Sequence, residues 1–249
     1  MAIRVDGKVA LITGGSNGIG EAVARHLAAQ GAHVVLADID DARGKQVAAE
    51  LGGHYVHTDV SDPAASTAAV AAAVETFGGL HMAHLNAGVT SWCGMGDDFD
   101  PEAYRLSMGI NLDGVVYGIA AARPAIKASG GGTIVATASM AGLVATPFDP
   151  IYCANKHAVV GLARSLGEVY KPDGIRIHAL CPSFAHTNII KGSEQSLIDM
   201  GFPILDVADV VAAFQNILDS DSTGEAWYVV AGRPSEPFRF RRAPGPRLA

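Results

Sequence analysis

Short apolar runs alternate along the chain with longer stretches in which apolar residues recur every three or four positions. Residues 9–12, Val-Ala-Leu-Ile, hold no polar member and read as a buried strand. Residues 19–30 follow, with Ile19, Val23 and Leu27 on one helical face and Gly31 as the stop. The alternation continues with strand 34–37, helix 41–51, strand 55–57, helix 62–77 with Pro63 in its first turn, and strand 80–85. Then come helical residues 102–129, expected in more than one piece, and strand 133–137. Helix 152–170, strand 175–180, helix 206–218 and strand 226–230 complete the series. Continuous apolar strands separated by helices predict a parallel sheet covered on both faces. Right-handed crossovers wind it twice and put a ligand site at the carboxyl ends of the strands.

The expected architecture is therefore α/β, a single doubly wound parallel sheet of about seven strands spanning residues 1–232. The 249-residue length is compatible with one such domain. Residues 233–249 break the pattern: four prolines and five arginines stand against one acid, Glu236. Proline at that density excludes a helix or a central strand. Two readings stay open, a mobile solvated end or an arm lying on an acidic neighbouring subunit.

Composition narrows the function classes. Hydrophobic residues at 49% and charged residues at 17% exclude a disordered chain. A net charge of −7 argues against nucleic acid as the main partner, because phosphate binding needs a basic surface. No apolar run is long enough to span a bilayer, and no apolar leader precedes the first strand. Three cysteines without a C-x-x-C spacing predict neither a disulfide frame nor a zinc site. A cytoplasmic protein is expected, with no membrane and no metal.

The first strand–helix junction carries the first candidate site, Thr13-Gly-Gly-Ser-Asn-Gly-Ile-Gly20. Glycines there let backbone approach a pyrophosphate, and the helix start supplies free N–H groups and a positive partial charge. Gly14, Ser16, Asn17, Gly18, Ile19 and Gly20 are the candidates. Asp38 ends the second strand, 18 residues after Gly20. An acid there accepts from a ribose 2′-hydroxyl and repels a 2′-phosphate, which selects NAD. Ser16, Asn17 and Ile39 offer no cation to a phosphate. Asp59 and Val60 end the third strand where an adenine would lie; Asp59 either bonds the adenine amino group or caps the next turn.

These residues, together with Asn86-Ala87-Gly88, Asn111, Ser139, Tyr152-x3-Lys156 and Pro182-x4-Thr187, make the chain resemble the short-chain dehydrogenase/reductase family. The marks run in the family's order over nearly the whole chain. The resemblance implies a Rossmann-type fold and hydride exchange between nicotinamide and a secondary alcohol or ketone. Such chemistry needs a group to take or give the hydroxyl proton. Tyr152 titrates near ~10 when unperturbed, and Lys156, one helical turn on, would favour the phenolate. Ser139 can bond the substrate oxygen. The resemblance further implies that Lys156 holds the nicotinamide ribose, that Asn111 sits in a water-linked proton relay and that Thr187 anchors the carboxamide. Leu85 and Ser183 depart from the family pattern, which expects asparagine and glycine there; the first departure affects strand packing and the second the loop beside the nicotinamide.

The family's variable walls correspond to residues 90–96, 140–150 and 184–202, rich in Trp92, Met95, Met140, Leu143, Val144, Phe148, Phe184, Ile189, Ile190 and Phe202. An apolar lipid-, terpenoid- or steroid-like alcohol or ketone is expected as the small-molecule partner. His186, beside Thr187, is a candidate for the mouth; His54, His57, His81, His84 and Cys153 read as structural. Residues 204–230 are similar to the corresponding part of 15-hydroxyprostaglandin dehydrogenase-like members, which suggests oxidation of a hydroxyl. Helices 102–129 and 152–170 are expected to pair between subunits of a homo-oligomer, a tetramer by family precedent or a dimer. Alternatives are an NADH-dependent carbonyl reductase, a dinucleotide sensor without turnover, and a halohydrin dehalogenase. The intact tyrosine set argues against the sensor and the intact glycine loop against the dehalogenase.

Overall fold

The computed structural model describes residues 5–241. Eight strands form one sheet: β1 (Val9–Thr13), β2 (His33–Asp38), β3 (His54–His57), β4 (Met82–Leu85), β5 (Gly132–Thr137), β6 (Ile175–Pro182), β7 (Glu225–Val229) and β8 (Glu236–Pro237). Their order is β3-β2-β1-β4-β5-β6-β7-β8. The first seven pair in parallel, and β8 runs antiparallel to β7. The helices are α1 (Gly18–Ala29), α2 (Asp41–Leu51), α3 (Pro63–Phe77), α4 (Pro101–Met108), α5 (Gly114–Ala128), α6 (Pro150–Tyr170), α7 (Glu194–Asp199) and α8 (Val207–Asp219).

Alternate strand residues feed two opposite cores. Val9 and Leu11 of β1 join Ala73, Ile119 and Val159 of α3, α5 and α6. Ala10 and Ile12 join Val23, Leu27 and Phe214 of α1 and α8. Period-two alternation on a sheet with helices on both faces explains why the strands read as unbroken apolar runs. Burying Phe214, 1% exposed, contributes ~1.5–3 kcal/mol on transfer arithmetic. Aspartates start four of the helices: Asp40, Asp62, Asp100 and Asp149 accept N–H bonds from the first turns of α2, α3, α4 and α6.

The helical stretch 102–129 is in more than one piece, as expected: a π-helical turn, Gly109–Asp113, joins α4 to α5, and Pro124 lies inside α5. Two features differ from the sequence expectation. Helix α7 was not foreseen, since its six residues are too few to show a period. The sheet has an eighth strand, and it lies in the segment expected as a tail. Tyr228 pairs with Glu236 and Trp227 with Pro237. Phe238 N–H donates to Ala226 O at 2.7 Å, and the Arg164 guanidinium lies 3.6 Å from the Phe240 ring centroid. Proline is tolerated there because the strand is at the sheet edge. The remainder of that segment, residues 242–249, lies outside the described residues. Among the described residues, no helix is long and apolar enough to cross a membrane.

The strand order reverses between β1 and β4. Crossovers leave that point in opposite directions, so a crevice opens beyond the carboxyl ends of the strands.

Candidate active site

That crevice is a cavity of about 1230 Å³. One end is lined by the β1–α1 loop (Gly14, Asn17, Gly18, Ile19) and by Asp38, Ile39, Asp59 and Val60 from the ends of β2 and β3. Its middle is lined by Asn86, Ala87, Gly88, Ser139, Tyr152, Lys156, Pro182 and Thr187. The other end is lined by Trp92, Met140, Phe148, Phe184, Ile189 and Phe202 among others. Of the predicted catalytic and cofactor-binding residues, three do not line it: Ser16, Gly20 and Asn111.

Each of the three has a visible reason. Ser16 is fully buried behind Asp38, to which its N–H donates at 2.9 Å. Gly20 lies under the loop, where an added Cβ would stand 2.1 Å from Gly14 O. Asn111 sits in the π-helical turn, with Oδ1 accepting from Val89 N–H and Nδ2 donating to Val89 O, both at 2.8 Å. It is fully buried, yet a Cβ on Gly88 would meet Asn111 Oδ1 at 3.1 Å and Lys156 Nζ at 3.5 Å. Asn111 and Lys156 thus approach the same glycine from two sides.

The glycine loop fits a pyrophosphate on structural grounds. Gly14 and Gly18 hold φ of +61° and +55°, and a Cβ on Gly18 would meet Thr187 Cγ2 at 3.1 Å. Asn17 makes no side-chain cap bond, so the first turn of α1 presents uncapped N–H groups toward the loop. The loop is braced from below. Asn86 Nδ2 donates to Thr13 O at 3.2 Å, and Thr13 Oγ1 accepts from Asn86 and Ala87 N–H groups. Asn86 therefore lines the cavity while its amide secures the loop.

Asp38 accepts from Ser16 and Asp40 N–H groups and faces the cavity at the end of β2. Asp40 and Asp41 follow it, and Lys156 is the one cation among the described lining residues. Arg43 is tied to Glu21 at 2.6 Å. Asp59 Oδ1 accepts from the Ser61 N–H and hydroxyl, which holds its carboxyl below the usual range. Asp59 thus caps its turn and lines the cavity together.

Tyr152 and Lys156 project from the first turns of α6. Lys156 is 2% exposed, its ammonium 2.8 Å from Thr137 O and 5.4 Å from the Tyr152 ring centroid. Burial pulls its pKa down to about 8. Burial likewise pushes the Tyr152 phenol up to about 12; a hydrogen bond with Ser139 lowers it and the Asp149 charge raises it. The expectation that Lys156 favours the phenolate therefore meets a larger opposing effect, because both groups are taken out of water. Ser139 is held by Ala141 N–H at 3.1 Å.

The apolar end contains two residues that sequence reasoning missed, Leu106 of α4 and Ile110 of the π turn, whose signal was absorbed into the helix pattern of 102–129. Leu197 and Met200 line it from within the expected wall 184–202. Met95, Leu143 and His186, expected as walls, are not among the lining residues. His186 is exposed, its N–H donating to Leu205 O. Leu85 is buried against Gly118, whose missing Cβ leaves it room. His84 is neutral and buried, its pKa drawn down to about 3 by burial, with Nε2 2.9 Å from Thr137 Oγ1.

Residues 8–197 match the family described as short chain dehydrogenase. The chain is 37% identical over 238 residues to a 3-alpha-(or 20-beta)-hydroxysteroid dehydrogenase of Mycobacterium tuberculosis, covering 93% of this chain and 91% of that protein. It is 37% identical over 243 residues to a cyclohexanol dehydrogenase of an Acinetobacter species, covering 93% and 96%. Among solved structures, a 3-ketoacyl-(acyl-carrier-protein) reductase from Brucella melitensis, complexed with NADH, aligns with a TM-score of 0.84 at 32% identity, covering 92% of this chain and 99% of that one. Motif order, sheet topology and these likenesses agree, and the chain belongs to the short chain dehydrogenase family of oxidoreductases.

Proposed function

We propose that this protein is an NAD-dependent dehydrogenase of an apolar secondary alcohol, lipid-, terpenoid- or steroid-like, with Tyr152 as its acid–base group. One observation carries the reading. A single cavity joins a glycine-loop end to an apolar end, and Ser139, Tyr152 and Lys156 stand at the junction. Relatives named for hydroxysteroid and cyclohexanol oxidation support the substrate class, and the NADH-bound neighbour supports the cofactor class. The acidic end of β2, with Asp38 facing the cavity, supports NAD over NADP.

A bound nicotinamide supplies the hydride acceptor for oxidation. The chain's own residues do the rest. Gly14, Asn17, Gly18 and Ile19 hold the pyrophosphate, Asp38 the adenosine ribose, and Thr187 and Lys156 the nicotinamide end. Ser139 donates to the substrate oxygen and fixes its direction. Tyr152 takes the hydroxyl proton as the alcohol becomes a ketone. Lys156, when charged, favours the phenolate that burial disfavours, and Asn111 fixes the backbone behind Lys156. The same residues serve ketone reduction, with Tyr152 returning the proton. The oxidative direction is supported by the relatives named as dehydrogenases. The reading includes a cytoplasmic homo-oligomer, expected as a tetramer, in which exposed Val116 of α5 and Val169 of α6 become buried. Light scattering at the monomer mass rejects that part.

The test is NADH formation over a panel of apolar and polar secondary alcohols, with NAD⁺ and NADP⁺ in parallel. Turnover of apolar alcohols with NAD⁺ supports the proposal. Turnover confined to small polar diols or sugars, or preference for NADP⁺, refutes the corresponding half.

A further inference from the structure

One buried charge in the cavity wall touches more than the phenol whose proton it helps to hold. Asp149 is 2% exposed, and both its oxygens are used twice. Oδ1 accepts from the Tyr152 N–H at 3.0 Å and from the Ser91 hydroxyl. Oδ2 accepts from the Ser91 N–H at 2.9 Å and the Trp92 N–H at 3.1 Å. One carboxylate therefore ties the turn that carries Tyr152 to a loop about 57 positions earlier in the chain. That loop holds Trp92 at φ +47°, the one non-glycine residue with positive φ among those described. A bulky side chain keeps that conformation only where its surroundings enforce it. The indole is 61% exposed and lines the cavity, as do the packed rings of Phe148, Phe184 and Phe202.

We propose that Asp149 is a positioning residue and Trp92 a specificity-determining residue: the carboxylate sets the indole in register with Tyr152, where it receives the apolar skeleton of the secondary alcohol. The proposal rests on the dehydrogenase reading. A charged carboxylate suits the task because four donors meet two oxygens. An amide at this position must turn its NH₂ toward one donor pair and cannot replace it. The exposed indole carries large apolar area on two rotatable bonds, so a substrate gains contact with little loss of side-chain freedom.

Asp149→Ser separates the loop tie from the helix cap. Serine still caps α6 but is too short to reach Ser91 and Trp92. In a Trp227→Phe background the one remaining tryptophan is Trp92, and its fluorescence anisotropy reports loop order. Asp149→Ser is expected to speed the decay of that anisotropy and to lower the Tm by several degrees without unfolding the protein, because the donors of buried Ser91 lose their acceptor. It raises KM for a single-ring secondary alcohol about 10- to 100-fold and leaves KM for NAD⁺ within about twofold. Trp92→Ala, an exposed change that does not threaten folding, raises the same KM with a smaller effect on kcat. Unchanged anisotropy in Asp149→Ser overturns the positioning role. An active parent whose alcohol KM moves less than about twofold in both variants overturns the specificity role. A parent that oxidises no alcohol refutes the dehydrogenase reading instead, and the anisotropy still decides whether Asp149 holds Trp92.

Discussion

The two ends of the cavity are built by different rules. The glycine-loop end stands on the carboxyl ends of β1, β2 and β3, and its shape follows from backbone: two glycines at positive φ, an uncapped helix start and two aspartates, Asp38 and Asp59. The apolar end stands mostly on connecting segments, residues 89–92, 140–148 and 183–203, with Leu106 and Ile110 beside them, and its shape follows from side-chain packing. The first kind of site recognises a ligand by main-chain N–H groups and tolerates little change. The second recognises by apolar area and tolerates much, so it can vary with the substrate.

Changes at the junction of the two ends should have the largest effect. Tyr152→Phe keeps the ring and removes the proton carrier, so kcat falls about 10²- to 10⁴-fold while NAD⁺ binding, read by titration calorimetry, is retained. Unchanged kcat removes Tyr152 from its role. Next is the rigid end. Gly20→Ala drives a Cβ against Gly14 O, and overpacking of this kind disfavours the loop by ~1–3 kcal/mol. NAD⁺ affinity and Tm should fall together, whereas Ile189→Ala at the apolar end should spare NAD⁺ affinity. Equal effects of the two changes on NAD⁺ affinity would erase the comparison.

A smaller change is expected from Asp38→Ser, which removes the charge facing the ribose. The NAD⁺/NADP⁺ preference in kcat/KM should fall about tenfold, the weight of one charge-assisted hydrogen bond. The mildest expectation concerns pH. Oxidation needs Tyr152 without its proton, and burial holds that proton up to about 12. Oxidation therefore climbs with pH, and its slope lessens past about 8 as Lys156 loses its charge. Initial rates from about pH 6 to about 9 that stay flat contradict this.

Legibility followed the same division. Strand alternation, the switch point and the glycine loop were readable because backbone geometry forces residue type there: Gly14 and Gly18 sit at positive φ. Tyr152 and Lys156 were readable as a spaced pair, but the direction in which burial moves their pKa values was not, since spacing carries no information about desolvation. Ser16 and Asn111 were found by motif, yet both lie behind the cavity and act on what lines it. Leu106 and Ile110 were missed because a helical period over 102–129 does not say which residues the end of α4 and the π turn bring to the cavity. The tie made by Asp149 has no mark in the sequence, because its four donors come from segments far apart in the chain. The edge strand β8 was hidden by its prolines.

The most direct measurement follows the hydrogen itself. A single-ring secondary alcohol carrying deuterium at the carbinol carbon is incubated with the enzyme and NAD⁺, and the reduced cofactor is analysed by mass spectrometry. The account requires deuterium in the NADH from wild-type enzyme, and labelled NADH formed about 10²- to 10⁴-fold more slowly by Tyr152→Phe under the same conditions. Unlabelled NADH, or labelled NADH formed at equal rates by the two proteins, contradicts it.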